Sequence, residues 1–161
     1  MRVRQLIAKE KVLKSDTGWS ARDLPPRHAP IYAKTRPIRA GWRWRSAACE
    51  SAASTRFILT ALGNPGRDNW QAFLIVETDA GASVIARFEY HGSHPGLHGH
   101  AHCEKGGIEV GASGLDNLVR IPKAQQSHRR TNAWTEQTFW DAARRFFRVK
   151  DQVRGDQLEL I

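Results

Sequence analysis

The sequence predicts an α+β fold, in which a small antiparallel β-meander is packed by a C-terminal amphipathic helix and preceded by a basic N-terminal arm. Three observations predict it. Three strand-like segments are separated by turn residues, an apolar stripe with helical spacing lies near the C-terminus, and the formal net charge of +9 lies entirely within residues 1–48. We therefore expect a basic, partly irregular arm over residues 1–41 and a single α+β domain over residues 42–161.

The expected arm combines positive charge with irregular backbone. Residues 2–14 have the spacing of a short basic amphipathic helix, and four prolines then favour an extended connection: Pro25, Pro26, Pro30 and Pro37. Such an arm predicts a polyanionic partner, either nucleic acid or an acidic protein. The alternative is a solvated basic leader without a partner.

The strands are predicted from alternation and from turn residues. In residues 42–45, Trp-Arg-Trp-Arg, a strand would bury both indoles on one face and expose both guanidiniums on the other. The meander itself is predicted over residues 55–62, 69–78 and 83–90, with turn residues between the segments. In the last segment Arg87 and Glu89 lie on the polar face.

The C-terminal helix is predicted from one broad apolar stripe. Thr135 or Asn132 can cap its start, and the stripe consists of Phe139, Trp140, Ala143, Phe146 and Phe147. We expect this stripe to pack on one face of the sheet.

A histidine-rich run follows the predicted meander and concentrates the chemistry of the chain. Five of the 7 histidines lie between His91 and His102, and Pro95 with several glycines predicts a loop or a short extended segment. In an extended segment His98, His100 and His102 point to the same side. They could then bind zinc or another divalent metal, with His128 as a fourth ligand.

General acid–base catalysis on a phosphodiester is the leading interpretation of the same run, and it requires no cofactor. Cleavage of RNA without a metal needs a base, an acid and a cation for the developing charge. Candidate catalytic residues are His94, His98, His100, His102 and Arg87. Candidate nucleic-acid-binding residues are Lys123, Arg129, Arg130, Arg43 and Arg45. The third interpretation is a non-catalytic protein that binds nucleic acid or a partner protein.

The order of elements from the last predicted strand onward resembles the TumE-like toxins of bacterial toxin–antitoxin systems. The resemblance rests on residues 87–91 (Arg-Phe-Glu-Tyr-His), on His94-Pro95, on the histidines at 98, 100 and 102, and on the helix over residues 139–147. Glu89 and Tyr90 stand where that family has Asp and Asn. The resemblance implies a growth-inhibiting toxin, an RNA endonuclease, that acts on nucleic acid and is neutralised by an antitoxin protein.

Several classes of protein are disfavoured by composition. Two cysteines, Cys49 and Cys103, cannot form a disulfide framework, and no apolar run reaches the length of a membrane span. No signal-peptide core follows the start. We therefore expect a cytoplasmic protein without a membrane partner.

Overall fold

The computed structural model describes residues 3–28, 39–79, 81–91, 97–101, 117–119 and 133–152. In chain order its helices and strands are α1 (Val3–Ala8), β1 (Lys11–Asp16), β2 (Arg43–Ser51), β3 (Arg56–Asn64), β4 (Asn69–Thr78), β5 (Gly81–Tyr90), β6 (Leu97–Ala101), β7 (Asn117–Val119), α2 (Glu136–Phe146) and β8 (Val149–Lys150). Single 3-10 turns cover Pro26–His28 and Pro65–Arg67.

All eight strands form one mixed sheet, in the order β7-β6-β5-β4-β3-β2-β1-β8. Neighbouring strands are antiparallel, except that β1 and β8 are parallel. The predicted α+β fold with a small meander is therefore wrong, because the described chain is mostly β. The three strands of the predicted meander are present as β3, β4 and β5, but further strands extend the sheet on both sides of them.

The N-terminal residues belong to the sheet and its core, which corrects the expectation of a basic arm. Val3 and Leu6 of α1 are buried in the main core, and β1 lies between β2 and β8. Lys11 is fully buried, and its Nζ donates hydrogen bonds to the carbonyl oxygens of Ile7, Lys9 and Phe147 at 3.0, 2.7 and 3.0 Å. Three backbone acceptors satisfy this ammonium, so its charge does not keep β1 at the surface.

The main core lies between one sheet face and helix α2. Thr135 caps the helix as predicted, with a capping box in which Thr138 bonds back to the Thr135 backbone N–H. The buried residues of α2 are Phe139, Trp140, Ala142 and Ala143. Phe139 stacks on Phe88 with ring centroids 5.7 Å apart, so the helix is fixed against β5. Asn132, the alternative cap, lies outside the described residues.

The opposite sheet face carries a second, smaller core. It consists of Leu24, Trp44, Ile58, Leu62, Phe73, Ile75 and Val84, with Trp42 packed against it. Residues 20–28 cross this face: the Trp44 indole donates to the Arg22 carbonyl at 2.7 Å, and the Thr60 hydroxyl donates to the His28 carbonyl at 2.9 Å. Both indoles of residues 42–45 therefore pack on this face.

The two described helices are both short. Neither is long and apolar enough to cross a membrane, a statement that covers only the part of the chain that the structure describes.

Candidate functional site

Strands β5 and β6 bring the chemically active side chains together on the second sheet face. In their antiparallel register Glu89 lies opposite His98, and Arg87 lies opposite His100. Because side chains alternate along a strand, Arg87, Glu89 and His91 share one face with both histidines of β6. The apolar residues between them face the other way, towards α2.

The buried carboxylate of Glu89 is the centre of this cluster. Glu89 is only 3% exposed. The Nε2 atoms of His98 and His100 lie 2.8 and 3.1 Å from Glu89 Oε1, and the Nε2 atom of His91 lies 3.4 Å from Oε2. Three imidazoles therefore converge on one carboxylate through the same ring nitrogen. We call Glu89, His91, His98 and His100 the Glu89 cluster.

Arg87 contacts the carboxylate from the same strand. Its Nε atom lies 2.8 Å from Glu89 Oε2, which makes an ion pair. The direction of approach does not align a hydrogen bond, and neither Arg87 Nε nor Glu89 Oε2 has a hydrogen-bond partner among the described residues. A buried carboxylate oxygen without an aligned donor is costly, so Oε2 is the atom of the cluster that can accept a further partner.

Charge at the cluster is set by burial and by neighbouring cations. Burial alone would raise the pKa of Glu89, but Arg87 and then the three histidines outweigh it and hold the pKa below its ordinary value. Burial and then the charge of Arg87 lower the pKa of His100, and Glu89 offsets only part of this effect. At neutral pH the site therefore presents an ionised carboxylate and a neutral imidazole at position 100. These are the protonation states in which both groups bind metals.

The donor atoms of Glu89, His91 and His98 are close enough to share one metal ion. All lie within 4.8 Å of one another. Donors about 2.1 Å from a tetrahedral zinc ion are separated from each other by about 3.4 Å. The 3.4 Å between His91 Nε2 and Glu89 Oε2 matches this spacing. His98 Nε2 lies 2.8 Å from the other carboxylate oxygen, Oε1, which is closer than two ligands of one zinc ion, so the His98 ring would have to move back from Oε1 on metal binding.

Asn69 on β4 orients the His91 ring. Its Oδ1 atom lies 3.2 Å from His91 Nδ1, on the side of the ring away from Glu89. An amide oxygen accepts, so Nδ1 donates to it, and in the neutral tautomer with the proton on Nδ1 the Nε2 atom is available to a metal. Histidines that bind metals characteristically make such a second hydrogen bond through the other ring nitrogen.

The structure places some of the sequence-predicted residues together. His98, His100 and Arg87 form one group, and His98 and His100 share a side as the period-two argument requires. Six other predicted residues lie outside the described residues: His94, His102, Lys123, His128, Arg129 and Arg130.

Sequence reasoning missed Glu89 and His91 as site residues. Glu89 was expected on the polar face of its strand, where a carboxylate is ordinarily solvated. The available signal was the phase of the alternation, because Arg87, Glu89 and His91 lie at i, i+2 and i+4.

Arg43 and Arg45, which were expected to bind nucleic acid, have carboxylate partners on the α2 side of the sheet. Arg43 Nε lies 2.8 Å from Glu136. The guanidinium of Arg45 makes two hydrogen bonds to Asp16, at 2.8 and 2.6 Å, and lies over the Trp140 ring at 4.6 Å. A phosphate at either arginine would have to compete with these contacts.

Cys49 on β2 is not a reactive thiol. It is 2% exposed, and burial raises its pKa to about 12, with only partial compensation from the nearby charge of Lys11. A thiol that stays protonated in the core acts as a small apolar side chain.

Comparisons with known proteins give no match to this chain. No family model matches the sequence, and neither a curated protein nor a solved structure matches it.

Proposed function

We propose that the protein is a metal-dependent hydrolase whose centre binds a divalent transition-metal ion of the zinc type. The ligands are Glu89, His91 and His98. The observation that carries the proposal is the convergence of three imidazole Nε2 atoms on one buried carboxylate, within 3.4 Å in every case.

The donor set supports a metal more directly than a purely structural role. One arginine is enough to neutralise a buried carboxylate, and Arg87 already lies 2.8 Å from Glu89. Burying three further imidazoles beside the carboxylate costs desolvation free energy, and this cost is not required to neutralise Glu89. Imidazole nitrogens with one carboxylate oxygen are the set that zinc and similar ions prefer.

The arrangement also suits catalysis rather than a closed structural site. The histidine side chains are 20–24% exposed, so solvent reaches the cluster from one side. A zinc-type ion with three protein ligands keeps a position for water and lowers the pKa of that water towards neutrality, which supplies a nucleophile for hydrolysis. His100 holds Glu89 Oε1 at 3.1 Å and so positions the carboxylate.

Metal analysis of protein prepared without a histidine tag tests this proposal. We expect about one equivalent of zinc or a similar ion per chain of the wild-type protein. The variants Glu89→Gln and His98→Ala should each lose most of this metal. His28→Ala is the matched control. His28 does not belong to the Glu89 cluster, and its Nδ1 atom lies 2.8 Å from Ser46 Oγ. The loss of this imidazole should therefore leave the metal content unchanged. Protein that takes up no metal, even after incubation with zinc, would refute the proposal.

The second candidate is a metal-free nuclease of the kind that the TumE resemblance implies. It is favoured by one further observation: Arg87 and Glu89 on β5 face His100 and His98 on β6, so two imidazoles and a guanidinium lie side by side. An acid, a base and a cation are the groups that cleavage of RNA without a metal requires.

RNA cleavage assayed with and without a chelator separates the two candidates. Activity that survives EDTA and is lost in both His98→Ala and His100→Ala supports the metal-free nuclease. Activity that is lost in EDTA and restored by zinc supports the metal centre. An antitoxin partner is tested separately. The test asks whether co-expression of a small protein encoded by an adjacent gene relieves the growth inhibition that this chain causes.

A further inference from the structure

We infer that the terminal nitrogens of Arg87 bind an anionic oxygen of the substrate beside the metal, so that the substrate class is an oxyanion, either a phosphate ester or a carboxylate. The inference rests on the proposed function, because it assigns a substrate class to the same site. It goes beyond the metal centre by giving Arg87 a binding role that is separate from its contact with Glu89.

The geometry leaves the outer end of the Arg87 guanidinium available. Its Nε atom is used on Glu89 Oε2, 2.8 Å away, whereas Nη1 and Nη2 have no hydrogen bond or ion pair among the residues that the structure describes. The side chain is 28% exposed, on the sheet face that carries the Glu89 cluster. A guanidinium presents its N–H groups as a planar fork that fits two oxygens of a phosphate or a carboxylate.

Arg45 provides an internal contrast. Its Nε and Nη2 atoms donate to the two oxygens of Asp16, and the guanidinium lies over the Trp140 ring, so one edge and one face of the group are occupied. Arg45 is therefore an arginine whose contacts stabilise the fold. Among the described residues Arg87 makes one ion pair, through Nε, and no ion pair or hydrogen bond of its terminal nitrogens is found there.

Charge favours an anionic substrate as well. A divalent ion with one carboxylate and one guanidinium gives the site a net charge of about +2, counting the histidines as neutral. Such a centre attracts anions and repels cations. A neutral substrate would gain only a hydrogen bond from Arg87, whereas an anionic oxygen gains the attraction of its charge as well.

The test measures binding of inorganic phosphate and, in a separate arm, of acetate to the zinc-loaded protein by calorimetry. Phosphate binding is expected to weaken about tenfold or more in Arg87→Met, the loss typical of a charge-assisted pair. Arg87→Lys keeps the positive charge but not the fork, and we expect it to retain zinc while losing most of the phosphate affinity. The control is Arg56→Met, since Arg56 is an exposed arginine on β3.

The outcomes distinguish this inference from the proposed function. If the wild-type chain takes up zinc and the Arg87 variants bind phosphate and acetate as tightly as wild type, Arg87 is not an anion ligand and the metal centre stands. Preference for phosphate identifies a phosphate ester, and preference for acetate identifies a carboxylate. If the wild-type protein does not bind zinc, both the proposed metal centre and the anion-binding role of Arg87 are refuted.

Discussion

Glu89 and His98 face each other across β5 and β6, with Glu89 Oε1 only 2.8 Å from His98 Nε2. The strand register creates this contact, because backbone pairing places position 98 directly opposite position 89. A slip of β6 by one residue would turn His98 and His100 to the opposite sheet face. The integrity of the cluster therefore depends on how β6 is held, and β6 is held from the other face by helix α2.

Zinc should stabilise the apo protein against heat. An ion that binds only the folded state at about 100 times its dissociation constant adds about 2.7 kcal/mol to the free energy of unfolding. We expect the melting temperature to rise on addition of zinc and this rise to disappear in His98→Ala. His28→Ala should keep it, and magnesium should give little shift because it prefers oxygen ligands. An equal shift in the two histidine variants would show that zinc binds elsewhere.

Gly99, between the two histidines of β6, should be sensitive to side-chain size. A Cβ atom there would lie 3.1 Å from Phe146 Cζ of α2, which is tighter than an ordinary contact, so the larger side chain of valine has to displace the Phe146 ring. We expect Gly99→Val to destabilise the protein by about 1–3 kcal/mol and to lower its metal uptake.

A double-mutant cycle checks the cause. In the Phe146→Ala background the valine has space, and the additional cost of Gly99→Val should fall by at least about 1 kcal/mol. Costs that add without coupling would show that Phe146 does not restrain β6.

The sequence was sufficient for the elements whose signal is local. The strands β3, β4 and β5 alternate or run apolar between turn residues, and the spacing of Phe139, Trp140 and Ala143 gives α2. Strand β6 lacks such a local signal, since Leu-His-Gly-His-Ala has low strand propensity and directly follows Pro95 and Gly96. Its strand conformation comes from pairing with β5, which no local pattern reveals.

The candidate site was only half predictable for the same reason. The density of histidines marked the segment, and period two gave the shared side of His98 and His100. The role of Glu89 depends on which strand lies beside β5 and in what register, and this is non-local information. For Lys11 the sequence predicts the wrong environment. A lysine in a basic segment indicates a solvated surface, whereas the Lys11 ammonium is buried against three carbonyl oxygens.

Two glycines near the β3–β4 turn should respond very differently to alanine. At Gly63 a Cβ atom would lie 2.3 Å from two carbons of the Trp70 ring, which is fully buried and cannot move aside. At Gly66 it would meet only the Asn64 side chain at 3.5 Å, an ordinary contact. We expect Gly63→Ala to cost about 2–4 kcal/mol in chemical denaturation and Gly66→Ala less than about 1 kcal/mol. Similar costs at both positions would contradict the packing of Trp70 against β3.

Lys11 should make stability depend on alkaline pH. Burial lowers its pKa in the folded protein to about 8, from the ordinary value of 10.5. Between these two values the unfolded chain binds more protons than the folded chain, so the contribution of Lys11 to the free energy of unfolding rises with pH across that window. Below pH 8 both states are protonated and the contribution is constant. Relative to Lys11→Met, the wild-type protein should therefore gain about 1–3 kcal/mol between pH 8 and pH 10.5.

Chemical denaturation of both proteins at pH 7, 9 and 10.5 measures this gain as a difference, in which the titration of other groups cancels. Lys14→Met is the control, since Lys14 is exposed and has only a 3.8 Å ion pair with Glu50, so its difference from wild type should stay nearly flat. A flat difference for Lys11→Met as well would mean that the three carbonyl oxygens around Nζ hold the ammonium charged as firmly as water does. A difference that narrows with rising pH would contradict the direction of the pKa shift itself.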